Sequence, residues 1–471
     1  MPSYNKDTES VEVAVIGGGI VGLVLAAGLT RRQIKVKVYE QSQGFRDIGA
    51  GIGFNGAAKA CMQMIDPGVI TALHRGGGVA VSAADEDDPH DYLRWIDGFD
   101  RGNVQHLHDQ KLYCKVDAGY KSIEGTRRDR FLEELAKDLP EGMVEFKKRL
   151  RTVEEGGDDC KLQLHFEDGT IAEADARCDG IKSRIREIVL SEASVASKPS
   201  YTHVNFYSSL IPMNKAVDIL GKFKASVFHN HIGPGANVLH YPVANGTLCN
   251  VSAFVHDANE WPAEKSPTSI GFRKHIQEKL VGWSPVVRGL IDLFPDTLPV
   301  WAVFDLWEHP MPYYNRGRIC VAGDAAHASS PHHGAGAGMG IEDALCLSVL
   351  LDEVSSSIRL EGASRRDAIP VAFQVYDSIR RRRSQWLVNS SRRLCDLQQH
   401  HDWADPAKLV KAETCFEEIT DRTYKIWNFD SNGMIKESIE KYGRAINSLR
   451  RNGLATNTDC KGNGHMNGVR A

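Results

Sequence analysis

This sequence has no metal-site spacing. Its ten cysteines are spread from Cys61 to Cys460, none forms a C-x-x-C pair, and no His/Cys cluster has zinc spacing. Zinc ribbons and dithiol redox motifs are thereby excluded, and reduced thiols in a cytoplasmic protein are the simplest account. Excess positive charge is absent too. The 57 Lys and Arg against 61 Asp and Glu leave a net charge of -4, so nucleic acid and anionic lipid are not expected partners. No basic segment leads into a short apolar one, so no secretory leader is expected. No internal repeat occurs, and no second G-x-G-x-x-G that would mark a separate nicotinamide domain. Long apolar runs are nearly absent. The exception, Val11 to Leu29, carries a single charge, Glu12, and would pass a hydropathy window. Three consecutive glycines at its centre and an acid-ended strand after it favour a buried strand, a loop and a buried helix, so membrane insertion is not expected.

What is present is glycine. The chain has 471 residues, enough for roughly two to four domains, and 43 glycines, about 9% against a usual value near 7%. Ten of them lie in residues 17–56 and six in residues 317–340, so the excess belongs to two loops far apart in sequence. Val11–Ile16 predicts a buried parallel strand, Ile20–Arg31 a helix packed under a sheet, and Lys35–Tyr39 a second strand ending at Glu40. Arg128–Leu139 predicts an amphipathic helix, and residues 144–175 a hairpin turning at Glu167-Asp168-Gly169. His203–Ile211, Ser226–Ile232, Asn237–Val243 and Leu248–Val255 alternate in polarity and predict an antiparallel sheet, with turns at Gly233-Pro234-Gly235 and Asn245-Gly246. Ile319–Ala322 is another buried strand, with a helix starting near Gly338. Residues 365–450 read as helical and 451–471 as a disordered tail.

Two motifs carry chemistry. In Gly17-Gly18-Gly19-Ile20-Val21-Gly22, Gly17 permits a tight turn, Gly19 lets a pyrophosphate approach, and Gly22 lets the helix pack on the strand. The helix N-terminus then offers free N–H groups to phosphates, and Glu40 can accept from a ribose diol. The second motif is Arg318-Ile319-Cys320-Val321-Ala322-Gly323-Asp324, where Asp324 at a strand end can accept from a polyol. It is followed by Pro331-His332-His333-Gly334-Ala335-Gly336-Ala337-Gly338, whose small residues admit a flat ring.

With these motifs the sequence resembles the FAD-dependent aromatic hydroxylases, the group A flavoprotein monooxygenases, over roughly residues 11–445. Within them it resembles the fungal salicylate-hydroxylase-like enzymes that dearomatise polyketide phenols. Segments carrying this likeness include Gly44-Phe45-Arg46-Asp47-Ile48-Gly49-Ala50-Gly51, Tyr92-Leu93-Arg94-Trp95, Arg127-Arg128-Asp129-Arg130-Phe131-Leu132 and His240-Tyr241-Pro242-Val243. The resemblance implies an α/β fold: a Rossmann-like FAD-binding domain, an inserted and mainly antiparallel β-sheet substrate domain, and a C-terminal helical region. The expected boundaries are 1–186 and 306–360 for the FAD domain, 187–305 for the substrate sheet, 361–450 for the helices and 451–471 for the tail. It implies Gly17, Gly19 and Gly22 around the FAD pyrophosphate, Glu40 on the adenosine ribose, and Gly53 in a loop passing the flavin. Arg128 would contact the cofactor, Asp324 the ribityl chain, and Ala337 would lie beside the isoalloxazine. Tyr241 would bind a phenolic substrate. NADPH or NADH would dock transiently, O2 would be the co-substrate, and oxygen would be delivered through a C4a-hydroperoxyflavin. No metal is implied.

The sequence departs from that pattern twice. Ser208 stands where the dearomatising enzymes carry an arginine. Ala174-Asp175-Ala176-Arg177-Cys178-Asp179-Gly180 is short and poor in large apolar residues where the family has an apolar strand before its Asp-Gly. These departures keep two alternatives open: a decarboxylating salicylate-type hydroxylase and a catalytically impaired paralogue that only binds FAD or ligand. The histidines at 229, 231, 240, 327, 332 and 333 read as polar lining of the cleft. Arg380–Arg383 spans a full helical turn and so cannot form one stripe; it reads as a solvated helix packed on the flavin domain, and the cysteines as buried and inert.

Overall fold

The computed structural model describes residues 11–45, 51–85, 88–100, 110–119, 122–155, 161–179, 186, 189–190, 194, 197–262, 264–400 and 409–459. The N-terminal unit forms as its pattern predicts: strand Glu12–Ile16, helix Ile20–Arg31 and strand Lys35–Tyr39. The helix buries Leu23, Val24, Leu25, Ala26 and Leu29 almost completely, each Leu or Val adding about 1.5–3 kcal/mol. It is apolar on nearly every side because it lies between this sheet and helix Gly336–Glu361. Among the described residues no helix is long and apolar enough to cross a membrane.

The strand order of this six-stranded sheet is Asn315–Arg316, Ile319–Val321, Ala176–Asp179, Glu12–Ile16, Lys35–Tyr39, Val144–Glu145. All neighbours are parallel except the first pair. Strands from both halves of the chain therefore share one sheet, and both glycine-rich loops leave from it. The short segment before Asp179 does form a strand. It is paired on both sides, with Val13–Ile16 and with Ile319–Val321, so ladder hydrogen bonds supply what its small side chains do not. Gly180 and residues 181–185 lie outside the described residues.

The second sheet has nine strands. Ser200–Pro212, Leu248–His256, Ala236–Val243 and His229–Gly233 lie side by side and antiparallel, close to the predicted segments. Thr297–Asp305 and Thr268–Phe272 extend one edge. At the other edge Asp88–Asp97 joins His229–Gly233 in parallel and carries Ala83–Asp85 and Leu112–Asp117, a region in which sequence patterning predicts no strands. The predicted hairpin of residues 144–175 is instead a small sheet of three strands, Leu150–Glu155, Leu162–Phe166 and Ile171–Ala174.

The C-terminal region is helical, with Arg365–Cys395, a π-helical turn at Asp396–His400, and then Leu409–Trp427 and Ser431–Asp459. The last of these corrects the expected tail: it continues nine residues past 450, because Met434, Tyr442 and Ile446 anchor it to the main core. Residues 460–471 lie outside the described residues.

The helix carrying Arg380–Arg383 packs on helix Gly336–Glu361, but the run is not solvated throughout. Arg380 is 1% exposed. It pairs with Glu342 at 2.8 Å and Asp343 at 2.8 Å, while Arg383 makes a two-pronged bond to Glu342 at 2.8 and 2.9 Å. Four successive residues cover a whole helical turn, so part of the run must face inward, and here acids from the neighbouring helix meet it.

Four of the six histidines do not line a cleft. His327 is fully buried against Asp343. His229, His231 and His240 lie together on the far face of the second sheet, His240 stacked on His229 and tilted against His231, with ring centroids 5.4 and 5.2 Å apart. Burial pushes His229 down to about 3, with Arg94 and Lys224 adding to it, and His231 and His240 well below the ordinary histidine value, with the neighbouring histidines and Lys224 adding to it. All three are neutral in the folded chain, and below about pH 6.5 they protonate once it unfolds. Folding stability should therefore be constant above about pH 6.5 and fall below it, by up to ~1.4 kcal/mol per pH unit for each histidine. Urea midpoints at pH 7.5 and 5 test this, and a His240→Phe chain should show the shallower loss. Equal loss in both chains would contradict it.

Candidate functional site

Gly17 turns the chain out of the first strand at φ +109°, a conformation that side-chain-bearing residues avoid. Its N–H donates to Tyr39 O at 2.8 Å, which ties the loop to the second strand. A β-carbon on Gly22 would sit 2.1 Å from Gly17 O, so only glycine lets this helix start so close to the strand. A β-carbon on Gly19 would meet nothing within 4 Å. Gly19 is the helix N-cap, makes no side-chain cap bond, and no acid occupies the first turn. The first N–H groups are left for an anion. Glu40 closes the loop: Gly18 N–H donates to one carboxylate oxygen at 2.6 Å and Ser42 N–H to the other at 2.7 Å.

Asp324 follows the strand Ile319–Val321, where Gly323 turns at φ +58°. Its carboxyl is raised by burial, an effect opposed by the positive charges of His327, Arg128 and Arg186. Arg128 is lowered by burial, with Asp324, Glu40 and Asp129 opposing. The arginine thus feels the charge of two acids, Glu40 and Asp324, that come from the two halves of the chain. Ala337 lies in the first turn of helix Gly336–Glu361, whose N-cap Ala335 likewise makes no side-chain bond. Gly53 lies on strand Gly51–Phe54, opposite Gly125; residues 46–50 of the preceding loop lie outside the described residues.

A single cavity of about 1340 Å³ is lined by Gly17, Gly19, Gly22, Glu40, Gly53, Arg128, Asp324, Ala337 and Tyr241 together. A pocket for one small molecule is typically ~300–1,000 Å³, so this one has room for two. One region is polar and glycine-rich. In the other, Tyr241 stands on the second sheet beside Phe228, with ring centroids 6.4 Å apart, and Trp95, Phe206, Leu239 and Phe254 complete an apolar wall. Burial raises the Tyr241 hydroxyl well above its ordinary value, so it is a protonated donor at neutral pH. His332 and His333 also line the cavity. His333 accepts from or donates to Ser390 at 3.0 Å and is lowered to about 3 by burial and by Arg422.

Ser208 faces the same side of the sheet but does not line the cavity. Its hydroxyl is 3.1 Å from Asn250 Oδ1 and 3.2 Å from Ser252 Oγ. Asn250 Oδ1 also accepts from Gly51 N–H at 3.0 Å. The serine thus helps anchor the loop next to Gly53 and supplies no charge.

Sequence reasoning missed several residues that hold the site. Arg186 donates to Ser197 O at 2.8 Å and lines the cavity. Asp343 Oδ2 accepts from Gly323 N–H at 2.9 Å and meets His327 Nε2 at 2.5 Å. Burial disfavours its charge, but His327 and Arg380 outweigh this and hold it at about 2. Glu342-Asp343 at the start of a helix was the one available signal; nothing in the sequence pairs it with Arg380.

Uncapped helix starts, two acids at strand ends and a cavity joining them to an apolar wall define a dinucleotide-cofactor enzyme with an adjoining aromatic pocket. Comparisons with known proteins agree. Residues 291–424 match the FAD binding domain family, and residues 15–45 an NAD(P)-binding Rossmann-like domain. A salicylate hydroxylase of Sarocladium schorii is 50% identical over 440 residues, 92% of this chain and 91% of the relative. An FAD-dependent monooxygenase of a Phoma species is 48% identical over 450 residues, 93% of this chain and 100% of the relative. A salicylate hydroxylase solved with its substrate superposes with a TM-score of 0.74 at 26% identity, covering 92% of this chain and 98% of that one. A Klebsiella pneumoniae protein crystallised with FAD and uric acid shares the fold, with a TM-score of 0.66 at 21% identity over 91% of this chain and 97% of that one. The chain belongs to the FAD-dependent monooxygenases of salicylate hydroxylase type, among relatives of fungal secondary metabolism. Its cofactor is FAD.

Proposed function

We propose that this enzyme uses NAD(P)H and O2 to hydroxylate a phenolic, polyketide-like substrate in secondary metabolism, in the cytoplasm. The observation that carries this reading is the continuity of the cofactor groove with an apolar wall bearing Tyr241. The uncapped start of helix Ile20–Arg31 would hold the pyrophosphate, Glu40 the adenosine ribose, Asp324 the ribityl chain, and the Gly53 and Ala337 segments the flavin ring. Bound there, FAD supplies electron transfer from NAD(P)H and activation of oxygen. The remaining work falls to the protein. Its apolar wall excludes water from the reacting ring. A bare phenolate is costly in such a place, so a donor is needed, and Tyr241 O–H is a donor on that wall. The division into an FAD domain of 1–186 and 306–360, a substrate sheet of 187–305 and helices of 361–450 belongs to the same reading.

A hydrogen bond to a charged acceptor is worth about 1.5–3 kcal/mol. Tyr241→Phe should therefore lower kcat/KM roughly 10- to 150-fold while FAD content stays that of the unaltered enzyme. The assay is phenol-stimulated NAD(P)H oxidation coupled to oxygen uptake. An unchanged kcat/KM would remove Tyr241 from the mechanism. If no phenol in a broad panel stimulated NAD(P)H oxidation, the hydroxylase reading itself would fail.

A further inference from the structure

The sheet facing the cavity aligns Ser208, Ser252, Leu239 and Asn230 in one row across four strands. At one end of that row, the place of the expected arginine, stands a serine whose hydroxyl is engaged elsewhere. At the other end stands Asn230, a cavity-lining amide on an otherwise largely apolar wall.

Asn230 is held by a chain of side chains. Asn237 Nδ2 donates to Asn230 Oδ1 at 3.0 Å. Gln399 Nε2 donates to Asn237 Oδ1 at 2.7 Å and lies 3.2 Å from His332 Nε2. His332 Nδ1 in turn lies 3.1 Å from Ser330 Oγ. With Gln399 donating, His332 accepts at Nε2 and carries its proton on Nδ1. Asn230, Asn237 and Gln399 are all at most 2% exposed, so this polarity is set without bulk water. Gln399 reaches the sheet from the π-helical turn Asp396–His400, a departure from regular helix of the kind often found at functional sites. The carbonyl of Asn230 is therefore committed to Asn237, and its remaining polar group is an NH2 donor. Asn230 is opposite Leu239, and Tyr241 is the next residue along on the same face, which makes Asn230 and Tyr241 diagonal neighbours. Their β-carbons are then somewhat less than about 7–8 Å apart, so both side chains rise from one patch of the wall and can meet the same substituted benzene ring.

We propose that Asn230 is a specificity-determining donor for a second, carbonyl-type oxygen on the substrate ring, oriented by Asn237, Gln399 and His332. The phenolic oxygen is left to Tyr241. This rests on the reading of the cavity as a phenol site. It gives the enzyme two neutral donors, Asn230 and Tyr241, with which to choose a ring bearing both oxygens. Asn237 and Gln399 act as positioning residues.

The test is binding to the FAD-loaded enzyme, followed by the change in flavin absorbance as 2,4-dihydroxybenzaldehyde or resorcinol is added. The two differ only in the carbonyl group. Asn230→Leu should weaken aldehyde binding roughly 10- to 100-fold and change resorcinol binding by less than about 3-fold. Asn230→Asp keeps an acceptor for Asn237 Nδ2 but has no NH2, and should lose the aldehyde at least as severely. Gln399→Leu should show the same selectivity with a smaller effect, and FAD content and Tm identify any variant that has merely lost its fold. The proposal is overturned if Asn230→Asp binds the aldehyde as the unaltered enzyme does, if both ligands weaken equally in folded variants, or if the unaltered enzyme binds neither. Asn230-dependent aldehyde binding without oxygen incorporation would instead spare the proposal and count against the hydroxylase reading.

Discussion

Arg380→Met is expected to destabilise the enzyme by about 3–5 kcal/mol, the usual cost of removing one partner from a buried ionic cluster. Arg380 is 1% exposed and answers two carboxylates, Glu342 and Asp343, that are themselves 3% and 0% exposed. Without it, Asp343 keeps only His327 and the Gly323 N–H, and Glu342 keeps Arg383. A buried carboxylate that loses its cation takes up a proton or pulls in water, and either outcome disturbs Gly323, the residue that aims Asp324 into the cavity. The loss should therefore appear twice: as a lower Tm, and as flavin shed on desalting. Adding Asp343→Asn to Arg380→Met should recover part of the stability, because it removes the orphaned charge. A Tm and flavin content equal to those of the unaltered enzyme would show that the cluster does not hold the site.

Gly22→Ala should have the larger effect on cofactor. The added carbon would sit 2.1 Å from the backbone oxygen of Gly17 and 3.2 Å from Val15. A carbonyl cannot rotate aside as a side chain can, so the loop must move. Overpacking of this kind costs about 1–3 kcal/mol in stability, and the displaced loop no longer presents its N–H groups to a pyrophosphate. We expect the protein to be colourless after gel filtration, with FAD affinity reduced at least ~100-fold, the equivalent of about 2.7 kcal/mol. Gly19→Ala separates space from binding. Its β-carbon meets no protein atom within 4 Å, so stability should be retained while FAD binding weakens. If Gly22→Ala retained stoichiometric flavin, the loop would not be the pyrophosphate cradle.

How much of this could be read from the sequence follows the range of the interactions. The strand, loop and helix of residues 12–39 are specified locally, by β-branched runs, glycines and a helical period, and they form almost residue for residue. The alternating segments between 200 and 255 are legible for the same reason: one sheet face is apolar and the turns are marked. The strands of residues 83–117 were not legible, because they form an edge whose partner, His229–Gly233, lies more than a hundred residues away and runs parallel. The arginines at 380–383 look like surface charge until the acids of the neighbouring helix are placed beside them. At the site, the residues drawn from glycine motifs and strand ends do line one cavity. Asn250, Asn230 and Gln399 carry no local signal. Asn250 meets Gly51 across 199 residues and Gln399 meets Asn237 across 162. Ser208 was conspicuous as a departure, yet its consequence became clear only with the structure: its hydroxyl holds Asn250 and it does not line the cavity.

The central claim is that this cavity joins a flavin to a phenol for oxygen transfer. The most direct measurement is turnover of the FAD-loaded enzyme with NAD(P)H under ¹⁸O2, with 2,4-dihydroxybenzaldehyde and salicylate as substrates and mass detection of the product. The account predicts phenol-stimulated NAD(P)H oxidation and a product carrying one ¹⁸O atom. Oxidation of NAD(P)H at the same rate with and without phenol, yielding only labelled hydrogen peroxide, would contradict it.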